Sequence, residues 1–316
     1  MWRFLRRLAA FGSIQIVIAA VWWTHHEPFA EDYMAASIDK HARLERESPP
    51  RLIIVGGSAA AFGFDGGLIE SRVALTPVNM ALHFSVGSAF MLREIRDSIR
   101  PGDVVLLALE YGHFADHANG AGALVDLLGH WPAGIRYVDW RQIRLLSDQA
   151  LPYLATQLRI DLRRATGRLR PPNLPYRRSA FNEYGDVVEH WGHAPRSHNL
   201  NFELGHVSES GLYEMSLRVG ELASFAIRQG ATVFLSFPPI PADACESFRG
   251  DLARIRAATD QIVGVRRLGP NEPGCYPRSL FFDTYYHLNR DGARRRSEEL
   301  VKALLANGVN SRDTEP

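Results

Sequence analysis

Three short apolar runs do most to limit what this chain can fold into. Leu52-Ile53-Ile54-Val55 (opened by Arg51), Val104–Leu109 and Ala231–Phe237 are continuous rather than alternating, as in strands buried on both faces of a parallel sheet. Weaker strand signals lie near Thr76–Met80 and at Gly264–Leu268. Helical patterning fills the gaps: Gly87–Ile99, Leu212–Gln229 closed by Gly230, Asp251–Ala258 and Asp291–Ala306. Strands alternating with helices predict an α/β domain over 51–310, a three-layer parallel sheet with helices on both faces. The block 114–211 is less regular, with helices near 121–129 and 140–165, and reads as an insertion or lid. The last residues, 311–316, read as a disordered tail.

The N-terminus predicts a membrane helix over residues 1–25. Arg3, Arg6 and Arg7 precede an uncharged stretch, Leu8–Thr24, closed by Trp22 and Trp23. Basic residues on the cytoplasmic side and interfacial tryptophans fit a signal anchor. Its 17 uncharged residues are at the short end of a span, which needs about 20, and a cleaved signal peptide is the rival reading. Either sends the remainder across the membrane, and residues 26–50, polar and ending in Ser48-Pro49-Pro50, read as a tether with some helix. Two cysteines, Cys245 and Cys275, both fall in the exported part and can form one disulfide there or remain two packed thiols.

Net charge is +1 at pH 7, so nothing global argues for a nucleic-acid partner, and no motif for one is present. Neither a phosphate-binding loop nor a dinucleotide fingerprint occurs, and no cofactor is implied. Gly56-x-Ser58-x-Ala60 partly matches the elbow of α/β-hydrolases, but that fold needs several strands before its nucleophile. His190, His193 and His198, beside Glu189, match no common metal spacing. The arginines of 159–178 read as a solvated face or as a contact for an anionic polymer or lipid headgroups.

Chemistry concentrates in two places. Ser58 follows the first strand at a strand-to-helix turn, where a hydroxyl is exposed and backbone N–H groups converge. A plain N-cap serine is the alternative. The second place is Asp283-Thr284-Tyr285-Tyr286-His287-Leu288-Asn289. A histidine there can take the serine proton, and a carboxylate four residues earlier can hold one tautomer of its ring.

These two segments resemble the first and last sequence blocks of the SGNH (GDSL-type) hydrolase superfamily, over roughly residues 51 to 306. The similarity is nearest to the exported, membrane-tethered branch with alginate-type O-acetyltransferases and the D-alanine transfer protein of teichoic acid modification. The resemblance implies a flavodoxin-like sheet order and a triad of Ser58, His287 and Asp283. It also implies an oxyanion and pocket set of Gly57, Gly87, Glu110, Tyr111 and His113. The departures are specific. Gly56-Gly57-Ser58 stands where the family has Gly-Asp-Ser, and the step from Asp283 to His287 is one residue longer than usual. Glu110-Tyr111-Gly112-His113 lacks the asparagine that donates to the oxyanion. One lost donor costs about 10²–10³ in rate, which argues against efficient free-standing hydrolysis.

What the resemblance implies is an O-acyl, chiefly O-acetyl, transferase on a cell-envelope or secreted polysaccharide. It would sit in the bacterial inner membrane with its domain in the periplasm. The partners implied are a glycan acceptor and a multi-pass membrane acyltransferase that hands over the donor. A carbohydrate esterase of the same fold, or a degenerate glycan-binding or scaffold domain, are the alternatives.

Overall fold

The computed structural model describes residues 1–115, 119–120, 122–196, 202–268 and 274–312. In chain order the elements are α1 (Trp2–His25), α2 (Ala36–Arg46), β1 (Arg51–Val55), α3 (Ser58–Ala61), α4 (Gly66–Glu70) and β2 (Thr76–Asn79). Then follow α5 (Ser88–Glu94), β3 (Val104–Leu107), α6 (Ala123–His130), α7 (Trp140–Ala165), α8 (Glu209–Arg228) and β4 (Thr232–Leu235). The chain continues through β5 (Ile240–Pro241), α9 (Ala242–Ser247), α10 (Arg249–Asp260), β6 (Val265–Arg267), β7 (Cys275–Tyr276) and α11 (Arg290–Ala306).

The central sheet has the order β2-β1-β3-β4-β6, with every pair parallel. Numbering its five strands consecutively gives 2-1-3-4-5, a doubly wound order whose direction reverses between β1 and β3. The apolar runs become strands because both faces are covered: every residue of β1 and β3 is buried. Arg51 is buried too, and its charge is met rather than stranded. Its Nη2 lies 2.6 Å from Asp103 Oδ2, its Nε donates to Asp103 Oδ1 at 3.1 Å, and Nη1 and Nη2 also donate to the Leu44 and Ser98 carbonyls. Removing one partner of such a pair typically costs about 3–5 kcal/mol.

Several expectations change. The stretch 26–50 is not a free tether. Met34, Ala36 and Leu44 enter the main core, and Lys40 is buried with its ammonium on the carbonyls of Asn79 and Gly185 at 2.8 and 2.6 Å. The helix expected within it packs on the core, and its basic groups Lys40 and Arg43 bond to backbone oxygens. The helix expected over 87–99 stops at Glu94, and a 3₁₀ turn follows at Arg96–Ser98. Part of the block read as an insertion belongs to the core: Ala180 and Val187 are buried, and Asp186 accepts from Asn79 Nδ2 and Gly66 N at 2.7 Å. The first helix forms as expected, but among the described residues no helix is long and apolar enough to cross a membrane. Of the tail, 313–316 lie outside the described residues.

Cys245 and Cys275 are joined by a disulfide, with their Cα atoms 6.0 Å apart. The bridge ties α9 to β7, which pairs with β5 in a small separate sheet that the sequence did not announce.

Candidate active site

Ser58 leaves β1 at the point where the sheet order reverses. Two glycines make the turn possible by keeping clear of β3. A Cβ on Gly56 would fall 2.4 Å from the Ala108 carbonyl oxygen, and one on Gly57 would fall 2.4 Å from Glu110 Oε1. The Glu110 carboxylate, fully buried just past β3, accepts from Gly57 N and Ala59 N at 3.0 Å each. It therefore grips the N–H groups on either side of Ser58 and fixes the turn from the neighbouring strand. Ser58 is half-buried, and its own N–H and hydroxyl have no hydrogen-bond partner among the described residues.

The loop before α11 brings Asp283 and His287 together. His287 Nδ1 lies 2.9 Å from Asp283 Oδ1. Thr284 Oγ1 accepts from the His287 N–H at 3.1 Å, and Phe282 N donates to the His287 carbonyl at 2.7 Å, so the loop backbone is fixed at this residue. Burial pushes the Asp283 carboxyl up, but its bonds to His287 and Tyr176 and the His287 charge outweigh burial, and its pKa falls below the usual carboxylate value. An ionised Asp283 keeps the imidazole proton on Nδ1 and leaves Nε2 as the acceptor. The His287 ring stacks on Phe62 with centroids 3.9 Å apart and planes 9° apart. Phe62 closes α3, the short helix that Ser58 opens. The imidazole is thus held against the helix that Ser58 opens, although no hydrogen bond joins Ser58 to His287. Catalytic contacts of this type often tighten only when substrate binds.

Two residues passed over in the sequence join this cluster. The Tyr176 hydroxyl donates to Asp283 Oδ2 at 2.6 Å and lies 3.2 Å from His287 Nδ1. Burial first, then the bond to Asp283, pushes its phenol up. It comes from the basic, proline-broken run, which carries no periodic signal. His83 follows β2, and the preceding Leu82 N–H donates to Gly56 O at 3.3 Å, which sets it beside the Ser58 turn. Burial lowers its pKa, and the charges of His287 and Glu110 also act on it. Its Nδ1 accepts from Ser85 N at 3.0 Å, so the neutral ring carries its proton on Nε2. A histidine just past a strand's carboxyl end was the available clue.

The remaining pocket candidates have other partners. Gly87 sits at φ +87°, where a Cβ would strike Asn119 and Gly120, and its N–H donates to Phe84 O at 3.1 Å. That bond closes a tight turn and leaves no N–H for an oxyanion. Tyr111 is fully buried and stacked on Phe237 at 4.8 Å, a packing position. His113 is buried, stacks on Phe84 and lies 3.4 Å from Glu110 Oε2. His190 is a core residue bonded to the Leu288 carbonyl at 2.8 Å, His193 is exposed, and His198 lies outside the described residues. Among the described residues no group of three or more His, Cys, Asp or Glu side chains could hold a metal. A cavity of about 910 Å³ between α5 and α8 is lined by none of this cluster.

Comparison with known proteins gives no matching family model and no matching curated protein.

Proposed function

We propose that the chain is a serine-dependent acyl-transfer enzyme in which Ser58 takes the acyl group, His287 moves the proton and Asp283 holds the ring. The observation that carries this reading is the 2.9 Å pair of Asp283 and His287, with the imidazole stacked on the residue that closes the Ser58 helix. Ser58 Oγ attacks the acyl carbonyl as its proton passes to His287 Nε2. The tetrahedral oxyanion collapses, the donor's leaving oxygen takes that proton, and the acyl group stays on Ser58. An acceptor hydroxyl, deprotonated by the same nitrogen, then releases the acyl group and restores the serine. The Ser58 N–H and the Nε2–H of His83 serve as oxyanion donors in place of the missing asparagine.

The acceptor belongs to this reading through the resemblance to membrane-tethered O-acetyltransferases: a cell-envelope or secreted glycan, with the donor delivered by a multi-pass acyltransferase. The same resemblance, the basic and apolar N-terminus and a disulfide suited to an oxidising compartment support an extracytoplasmic domain attached through α1. A deacylating esterase would use the same groups with water as acceptor.

The test is acyl transfer by the full chain from an aryl acetate donor, with and without an oligosaccharide acceptor. Acceptor-dependent acetylation, lost in Ser58→Ala while the fold is kept, supports transfer. Acetate release that ignores the acceptor assigns the esterase, and undiminished turnover in the variant refutes both.

A further inference from the structure

The longest helix of the domain, α7, carries apolar side chains on its outer face as well as toward the core. The fully buried side chains of α7 are Gln142, Tyr153 and Gln157, with Leu146 packed on the core beside them, while a second set of large apolar residues faces solvent. Trp140 is 72% exposed, Leu151 77% and Leu162 64%, with Ile143 and Leu158 close behind. At about 100° per residue these five positions fall within an arc of roughly 100°. A soluble surface does not keep such a stripe without an occupant. Arg144 lies on it and Arg159 at its flank; both are exposed and form no ion pair among the described residues. A basic, amphipathic and only moderately apolar helix suits the plane of a bilayer rather than a span through it.

The stripe also continues onto α1. Asp161, at its edge, accepts from Trp22 Nε1 and lies 2.8 Å from His26 Nδ1, while Arg164 donates to the Glu27 carbonyl at 2.9 Å. These bonds fasten the C-terminal end of α1, whose Phe11, Ile14, Val17 and Val21 are exposed, beside Leu158 and Leu162.

We propose that α7 is an interfacial helix that lays Trp140, Ile143, Leu151, Leu158 and Leu162 into an anionic lipid bilayer, with its arginines at the headgroups. The domain is then held to the membrane at two places, and its orientation on the surface is fixed rather than free to swing. The inference rests on α7 and its join to α1, and stands or falls separately from the chemistry assigned to Ser58.

Because both native cysteines are bridged, one added cysteine can carry a nitroxide label. The full chain is reconstituted into phosphatidylcholine vesicles containing phosphatidylglycerol, with labels at Leu151→Cys, Leu158→Cys and, on another exposed sector, Thr156→Cys. The expected result is an oxygen-to-nickel-chelate accessibility ratio several-fold higher at 151 and 158 than at 156, reduced by Arg144→Glu with Arg159→Glu. Equal, water-like ratios at all three positions, with circular dichroism unchanged, overturn the proposal. Labels that are aqueous in protein-free vesicles but shielded in native membranes overturn it as well, since the occupant is then a protein.

Discussion

The Gly57 N–H donates to the Glu110 carboxylate at 3.0 Å, and Gly57 has no side chain because that carboxylate already fills the space a Cβ would need. A carboxylate from the end of β3 thus sits against the turn that carries Ser58. Glu110→Ala would leave two buried N–H groups without acceptors and lower stability by roughly 2–5 kcal/mol. Gly57→Ala would destabilise through a clash with that same carboxylate, so the double variant should lose less than the sum, by about 0.5–3 kcal/mol. Denaturant unfolding of the four proteins checks this, and strict additivity would break the link.

Tyr176 is expected to act through Asp283 and His287 rather than on substrate. A hydrogen bond to a charged group contributes about 1.5–3 kcal/mol, so Tyr176→Phe should slow acylation of Ser58 by roughly one to two orders of magnitude. The pH dependence of that rate should shift with it, since the imidazole loses a neighbour at 3.2 Å. An unchanged rate and profile would make the tyrosine a packing residue only.

The sheet was largely legible because its strands announce themselves. Leu52–Val55 and Val104–Leu107 are apolar without interruption, and the turns after them carry Ser58 and Glu110 to the same rim. The pairing of Asp283 with His287 was legible as well, since both lie in one seven-residue segment. Tyr176 was not, because it approaches across a proline-broken loop 107 residues from Asp283. The role of Glu110 was hidden for a similar reason, as it acts on backbone N–H groups 51 and 53 residues away. Lys40 and Arg43 made residues 26–50 look solvated, whereas the fold spends both on backbone carbonyls.

Two buried histidines should make the fold sensitive to mild acid. Burial pushes His41 and His190 down to about 4 from 6.5, against backbone bonds that act the other way. Both are protonated in the unfolded chain below about 6.5, so their contribution is complete above that pH and is lost as pH falls toward 4. The size is on the order of 3 kcal/mol for each. Glu94, pushed up to about 8 by burial, acts in the opposite sense across 4.5 to 8, so a difference between variants is the cleaner measure. His190→Gln should be less stable than wild type at pH 7, with the gap in melting temperature shrinking by pH 5. A gap independent of pH would contradict the assignment.

The Cys245–Cys275 bridge closes a chain segment with a separation of 30 residues. Chain-entropy arguments give about 3–4 kcal/mol for a loop of that size. Replacing both cysteines with serine should lower the unfolding free energy by that amount, measured in urea. A loss below about 1 kcal/mol would mean that the α9 and β7 segments are held by packing alone.

The most direct measurement is covalent labelling of the full chain with a fluorophosphonate, read by intact mass and peptide mapping. The account requires one adduct, on Ser58, that disappears in Ser58→Ala and forms far more slowly in His287→Ala and Asp283→Ala. A folded wild-type protein that stays unlabelled, or an adduct that persists in Ser58→Ala, would contradict it.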